Sequence, residues 1–225
     1  MRRLLTGLLV TLLVLGGLGA VGDELLRSEA EKRVATTLAA RLGTTPDVQA
    51  HGWPFCAMLL THRLPGAQVR ADQISGHVDG QQVSVTDLLV EADSITNPTD
   101  LDQAKVGRVV VHGTADWATL SRRLDLAVSD GGGGRMKVAT TVAGQQVELV
   151  GQPVIAGDGL SFSNATGTLG GKPLDQGLVE AAVMVAQGEL QLPRVEGFTL
   201  SDVEVVEGGL RVGLVGNDVA VSRFR

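Results

Sequence analysis

Between Met136 and Thr166 three apolar–polar runs follow one another, Met136 to Ala143, Gln146 to Ile155 and Leu160 to Thr166, parted by short turns at Gly144 and at Gly157-Asp158-Gly159. Successive side chains of a strand point to opposite faces, so a period near two buries one face and wets the other. Connections this short join only antiparallel neighbours. The stretch predicts a meander and excludes an all-helical fold. Similar runs flank it: Ala67 to Ile74 and Gln82 to Ile95 around the Asp79-Gly80 turn, then Lys105 to Ala115. Near the end, Phe198 to Val206 and Leu210 to Val215 hinge at Gly208-Gly209, and Val219 to Phe224 reads as a last strand. Glycine, at 30 of 225 residues, supplies the turns and makes Gly131 to Gly134 a flexible loop. Val85-Thr86-Asp87-Leu88-Leu89-Val90-Glu91 and Leu200-Ser201-Asp202-Val203-Glu204-Val205 are alike enough to suggest a half-repeat.

Helical periods interrupt these strands. From Asp23 to Leu42 a stripe of Leu26, Ala30, Val34, Leu38 and Leu42 recurs every fourth residue and is stopped by Gly43. Asp116 is placed to cap a short helix from Trp117 to Leu124. Pro173 opens a longer one, Leu174 to Ala186, whose circumference is so apolar that burial on nearly all sides is expected. The order of elements favours an α+β domain over residues 23–225, in which a long curved antiparallel sheet holds apolar helices against its concave face.

Ahead of that domain, Arg2 and Arg3 precede the uncharged run Leu4 to Val21, and Ala20-Val21-Gly22 offers small residues for cleavage. Residues 1–22 therefore read as an export signal, either removed or kept as an N-terminal membrane anchor. With Arg2 and Arg3 set aside, 17 Lys and Arg face 25 Asp and Glu, a formal charge of −8. Phosphate backbones repel such a body, which argues against nucleic acid as a partner. Contact with lipid must rest on apolar burial.

Gly52-Trp53-Pro54-Phe55 carries two of the chain's six aromatics. Pro54 fixes its own φ and biases Trp53 toward extended backbone, so the strand arriving through Val48 to His51 should turn there into a short buried helix bearing Met58, Leu59 and Leu60. Cys56, the single cysteine, reads as a small buried hydrophobe. No metal pattern arises from His51, His62, His77 and His112, which are scattered, and Gly170-Gly171-Lys172 is followed by Pro173 where a phosphate loop needs Ser or Thr. No G-x-S-x-G elbow occurs. The chain is therefore expected to be no enzyme and to need no cofactor.

Gly52, Pro54, Phe55, Leu59 and Leu60 resemble the Gly-x-Pro-Phe-x-x-x-Leu-Leu corner of the actinobacterial LmeA-like phospholipid-binding family, named for a lipomannan elongation factor. Leu192-Pro193, Leu200, Val203, Val205, Gly209-Leu210, Val212, Gly216 and Val219 resemble its closing strands. His62 stands where that family often has Gly. The resemblance implies an exported protein of the periplasm or cell envelope that binds phospholipid at the membrane and supports either mannan elongation of lipoglycans, as the family prototype does, or envelope maintenance, with an envelope glycosyltransferase as a partner. It also implies a plan like tubular lipid-binding domains, in which a curled sheet wraps a long helix. The residues expected to line the lipid path are Leu38, Trp53, Phe55, Met58, Leu59, Leu178, Ala182 and Val183. A scaffolding role beside an envelope enzyme, without a ligand of its own, is the alternative.

Overall fold

The computed structural model describes residues 23–36, 39, 44–52, 61–78, 81–98, 103–142, 144–157, 159–192 and 195–220. In chain order they form α1 (residues 23–36), β1 (Asp47–His51), β2 (Arg63–Val78), β3 (Gln81–Thr96), β4 (Lys105–Asp116), α2 (Trp117–Leu124), β5 (Ala127–Asp130), β6 (Met136–Val142), β7 (Gln145–Ala156), β8 (Gly159–Leu169), β9 (Lys172–Pro173), α3 (Gln176–Glu189), β10 (Phe198–Val206) and β11 (Gly209–Ala220). The class is α+β, but the single long sheet is replaced by two antiparallel ones, neither closed nor strongly curled. Six strands run in the order β1-β2-β3-β4-β11-β10 and five in the order β5-β6-β7-β8-β9. The break falls at Asp116. Its carboxylate accepts a hydrogen bond from the Thr119 N–H at 2.6 Å, ends β4 and starts α2, so the chain leaves the first sheet, builds the second and returns through α3.

The six-stranded sheet has one apolar face. Val48, Val69, Val90, Val111, Leu214 and Leu200 stand opposite one another across all six strands, and every member of the row is half-buried. Beside it runs a row of small and apolar residues, Ala50, Ala67, Ala92, Val109, Gly216 and Phe198. The other face mixes polar pairs with apolar residues: Gln68 donates to Glu91 at 2.8 Å and Arg211 lies 3.4 Å from Glu204, while Val110 and Val215 continue the Glu91 row. Keeping the faces apart requires two extra residues, one in β3 between Thr86 and Leu89 and one in β10 between Leu200 and Asp202. The two stretches alike in sequence are these two bulges. In both, the apolar residues step by three once, Val85 to Leu88 and Leu200 to Val203, before the period of two resumes, and the bulge returns them to the same face.

The main core lies where one end of that face meets the five-stranded sheet, α2 and α3. Met136, Leu160, Leu190 and Leu210 are fully buried there among Leu120, Leu124, Val128, Val138 and Phe162. Burying side chains of this size stabilises by about 1.5–3 kcal/mol each. A second, smaller cluster of Val106, Val109 and Val219 sits at the other end.

Several elements differ from their sequence reading. β11 absorbs Val219, expected in a separate strand, and β5 is added. Gly131 to Gly134 close a compact hairpin loop rather than a loose one, with the Gly131 N–H donating to the Arg135 carbonyl at 2.7 Å and the Gly132 N–H to Asp130 Oδ1 at 2.7 Å. Pro173 pairs with Thr168 in β9, and the helix begins after Asp175. α1 guards the edge of β1 with polar bonds, Glu31 accepting from the Ala50 N–H at 2.8 Å and Arg27 donating to the Gly52 carbonyl. Its Leu25, Leu26 and Val34 remain 67%, 50% and 47% exposed, so its apolar stripe is not sealed as a helix packed on its sheet would be. The helix expected after Phe55 lies outside the described residues.

Candidate functional site

α3 shapes the site. Asp175 accepts from the Leu178 N–H at 3.0 Å to start the helix, and the Leu190 N–H closes it on the Ala186 carbonyl at 2.9 Å. Val179 is buried, while Val183 and Ala186 pack on the main core, which lays the helix on the five-stranded sheet. A helix resting on one layer has one buried stripe. The all-round burial expected of this apolar segment therefore does not occur: Leu178, Met184 and Val185 are 54%, 72% and 72% exposed.

On one flank of α3 a cleft of about 510 Å³ opens toward α2, β6 and β7. Its floor is a two-by-two patch, Val138 opposite Leu149 and Thr140 opposite Val147, because those pairs share one face of the β6–β7 ladder. Leu124 and Leu126, at the end of α2, form one wall, and Ala182, Val185 and Ala186 of α3 form the other. Asp125, in the left-handed conformation at φ 52° that ends α2, and Glu189 are the charged residues of the lining. Among the described residues no Lys or Arg lines it. The volume and apolar walls suit a ligand pocket, which typically spans about 300–1,000 Å³ with few polar groups. On the other flank, Phe162, Ala165, Val183 and Met184 border a second cleft of about 540 Å³, with Asn164, Gln176 and Glu180 at its polar side.

Of the residues expected to line a lipid path, Ala182 borders the first cleft and Val183 the second. Consecutive helical residues are turned by about 100°, so the pair divides between the two flanks instead of facing one space. Leu178 lines neither of these clefts. Leu38, Trp53, Phe55, Met58 and Leu59 lie outside the described residues. Sequence reasoning did not name Leu124, Leu126, Val138, Thr140, Val147 or Leu149. The alternation of β6 and β7 pairs the last four by face, but it carries no mark of which face α3 would cover only in part.

Among the described residues no three His, Cys, Asp or Glu side chains gather as a metal site, and no helix is long and apolar enough to cross a membrane. A family model described as LmeA-like phospholipid-binding matches residues 21–214. No curated protein and no solved structure matches the chain.

Proposed function

The chain belongs to the LmeA-like phospholipid-binding family, and from that premise we propose that it binds phospholipid as a carrier or sensor rather than as a catalyst, with acyl chain held in the cleft beside α3. The observation that carries this placement is an apolar cleft of about 510 Å³ under a helix whose outer residues are themselves apolar and open. Apolar contact contributes about 25 cal/mol per Å² removed from water, and the carboxylates of Asp125 and Glu189 give an anionic headgroup no attraction. Affinity then depends little on salt. A second place for acyl chain is the apolar face of the six-stranded sheet, favoured by the half-buried row from Val48 to Leu200.

The proposal extends to location and role. The apolar run Leu4 to Val21 supports export to the cell envelope, with that segment either cleaved or kept as an anchor. There the bound lipid serves envelope upkeep or mannan elongation of lipoglycans beside a glycosyltransferase; a protein that purifies empty would instead be a scaffold for such an enzyme. Native mass spectrometry of protein from a membrane-containing host tests the core of this reading. Co-purifying phospholipid is expected, and Ala182→Phe should lower its stoichiometry by filling the cleft while the thermal midpoint holds. Unchanged loading in a well-folded Ala182→Phe variant, or loading that collapses as salt rises, would remove the site from this cleft.

A further inference from the structure

We propose that the open face of α3 docks on the surface of a phospholipid bilayer and brings the mouths of the two clefts to the membrane. This rests on the phospholipid-binding reading above and adds where the ligand enters. Two observations select a bilayer as the occupant, and a third says how it is held. First, the open residues are continuous with the clefts: Val185, 72% exposed, also lines the first, and Met184, 72% exposed, also lines the second. A surface that covers α3 therefore covers both openings at once.

Second, the patch as described is four side chains on one helix, small for a protein interface. Leu178, Met184 and Val185, with Ala181 between them, occupy one side of a helix of 14 residues. A stable protein interface buries about 800 Å² and 20–30 residues on each side. A helix lying in a lipid interface buries its apolar face about 5–10 Å among headgroups and acyl chains. Third, α3 carries Glu180 and Glu189 and no Lys or Arg, and Asp175 caps it, so attraction to anionic lipid is not its means of attachment. Docking is then apolar, works on zwitterionic lipid and tolerates salt.

Met184 is a built-in probe, because thioether oxidation by peroxide follows exposure. Met136, with no exposed surface, is the internal control. The full chain is treated with peroxide alone, with phosphatidylcholine vesicles, and with monomeric short-chain phosphatidylcholine, and each methionine is followed by peptide mass spectrometry. Vesicles are expected to slow Met184 oxidation by about tenfold by removing most of its exposure. Short-chain lipid should slow it far less. Leu178→Glu combined with Ala181→Glu should abolish the vesicle effect, and neither residue lines either cleft. The fold should tolerate the pair: Ala181 is exposed, and a glutamate at the third helical position, where Leu178 sits, suits a capping box with Asp175.

Equal rates with and without vesicles overturn docking, as does persistence of the vesicle effect in the double variant. Equal protection by short-chain lipid also overturns it, since occupancy of a cleft would then explain the shielding. Protection that grows with protein concentration in the absence of vesicles assigns the face to a second copy of the chain. If native mass spectrometry finds short-chain lipid bound but vesicles leave Met184 open, docking fails alone. If no lipid binds in either form, the phospholipid reading fails first.

Discussion

At the scale of single residues, the geometry rests on positions whose demands come from across the sheet. Gly213 in β11 lies between His112 of β4 and Asp202 of β10. The bulge in β10 swings Ser201 and Asp202 over it, where Ser201 donates to Asp202 Oδ2 at 2.7 Å and His112 Nδ1 stands 3.7 Å from Asp202 Oδ1. A Cβ at Gly213 would overlap the Asp202 carboxylate and crowd the Ser201 hydroxyl. Gly213→Ala should therefore turn these two side-chain tips aside and break their hydrogen bond, at a cost of about 0.5–1.5 kcal/mol, read as a lower denaturant midpoint at unchanged slope. An unmoved midpoint would mean that the bulge relaxes without cost. None of this was legible in the sequence, where Gly213 is one glycine among 30 and its neighbours lie about ten and a hundred residues away. Asp116 is the contrary case. A helix cap acts three residues along the chain, so local sequence was enough to place it and both ends of α2.

Elements show the same division between near and far. β10 was legible to the residue, and β3 and β4 to within a residue at each end, because alternation and turn residues are local signals. α3 was legible as a helix but not as an open one. Its hydrophobicity gave no count of the layers around it, and the structure supplies one. Nor did composition reveal that Pro173 would end a strand pair before the helix, although Asp175 is a residue type that favours an N-cap. α2 offers the cleaner energetic test, since it both ends β4 and walls the cleft through Leu124. Asp116→Ala removes the acceptor for the Thr119 N–H and should cost about 1 kcal/mol. The loss should appear in thermal unfolding, and lipid loading should fall with it, because fraying moves Leu124 and Leu126 together. Asp116→Asn, which keeps the acceptor, should restore most of both. Equal loss in the two variants would assign Asp116 a role other than capping.

For the whole molecule, local patterns identified strands without saying which sheet each would join, so a single curled sheet was the simplest assembly. Two sheets result because α2 diverts the chain, and the main core then forms only at their junction. That arrangement separates the two places open to acyl chain. The cleft beside α3 belongs to the junction, whereas the row through Val48, Val69 and Val90 crosses β1, β2 and β3, on the outer side of β4. A ligand that binds only the folded state adds about 2.7 kcal/mol at a free concentration about 100 times its dissociation constant. Hydrogen exchange shows where in the fold that stabilisation is felt. If the cleft is the site, loading the delipidated protein with phospholipid should slow exchange in α3, at the end of α2, and in β6 and β7, while β1 to β3 change little. Fully buried Met136 of β6 ties the cleft floor to the core, so protection should continue into β5 but fade before β2. Slowed exchange confined to β1, β2 and β3 would place the acyl chain on the open sheet. Protection at both ends would mean acyl chain in both places, and Ala182→Phe would then reduce protection at the junction while leaving it on β2 and β3.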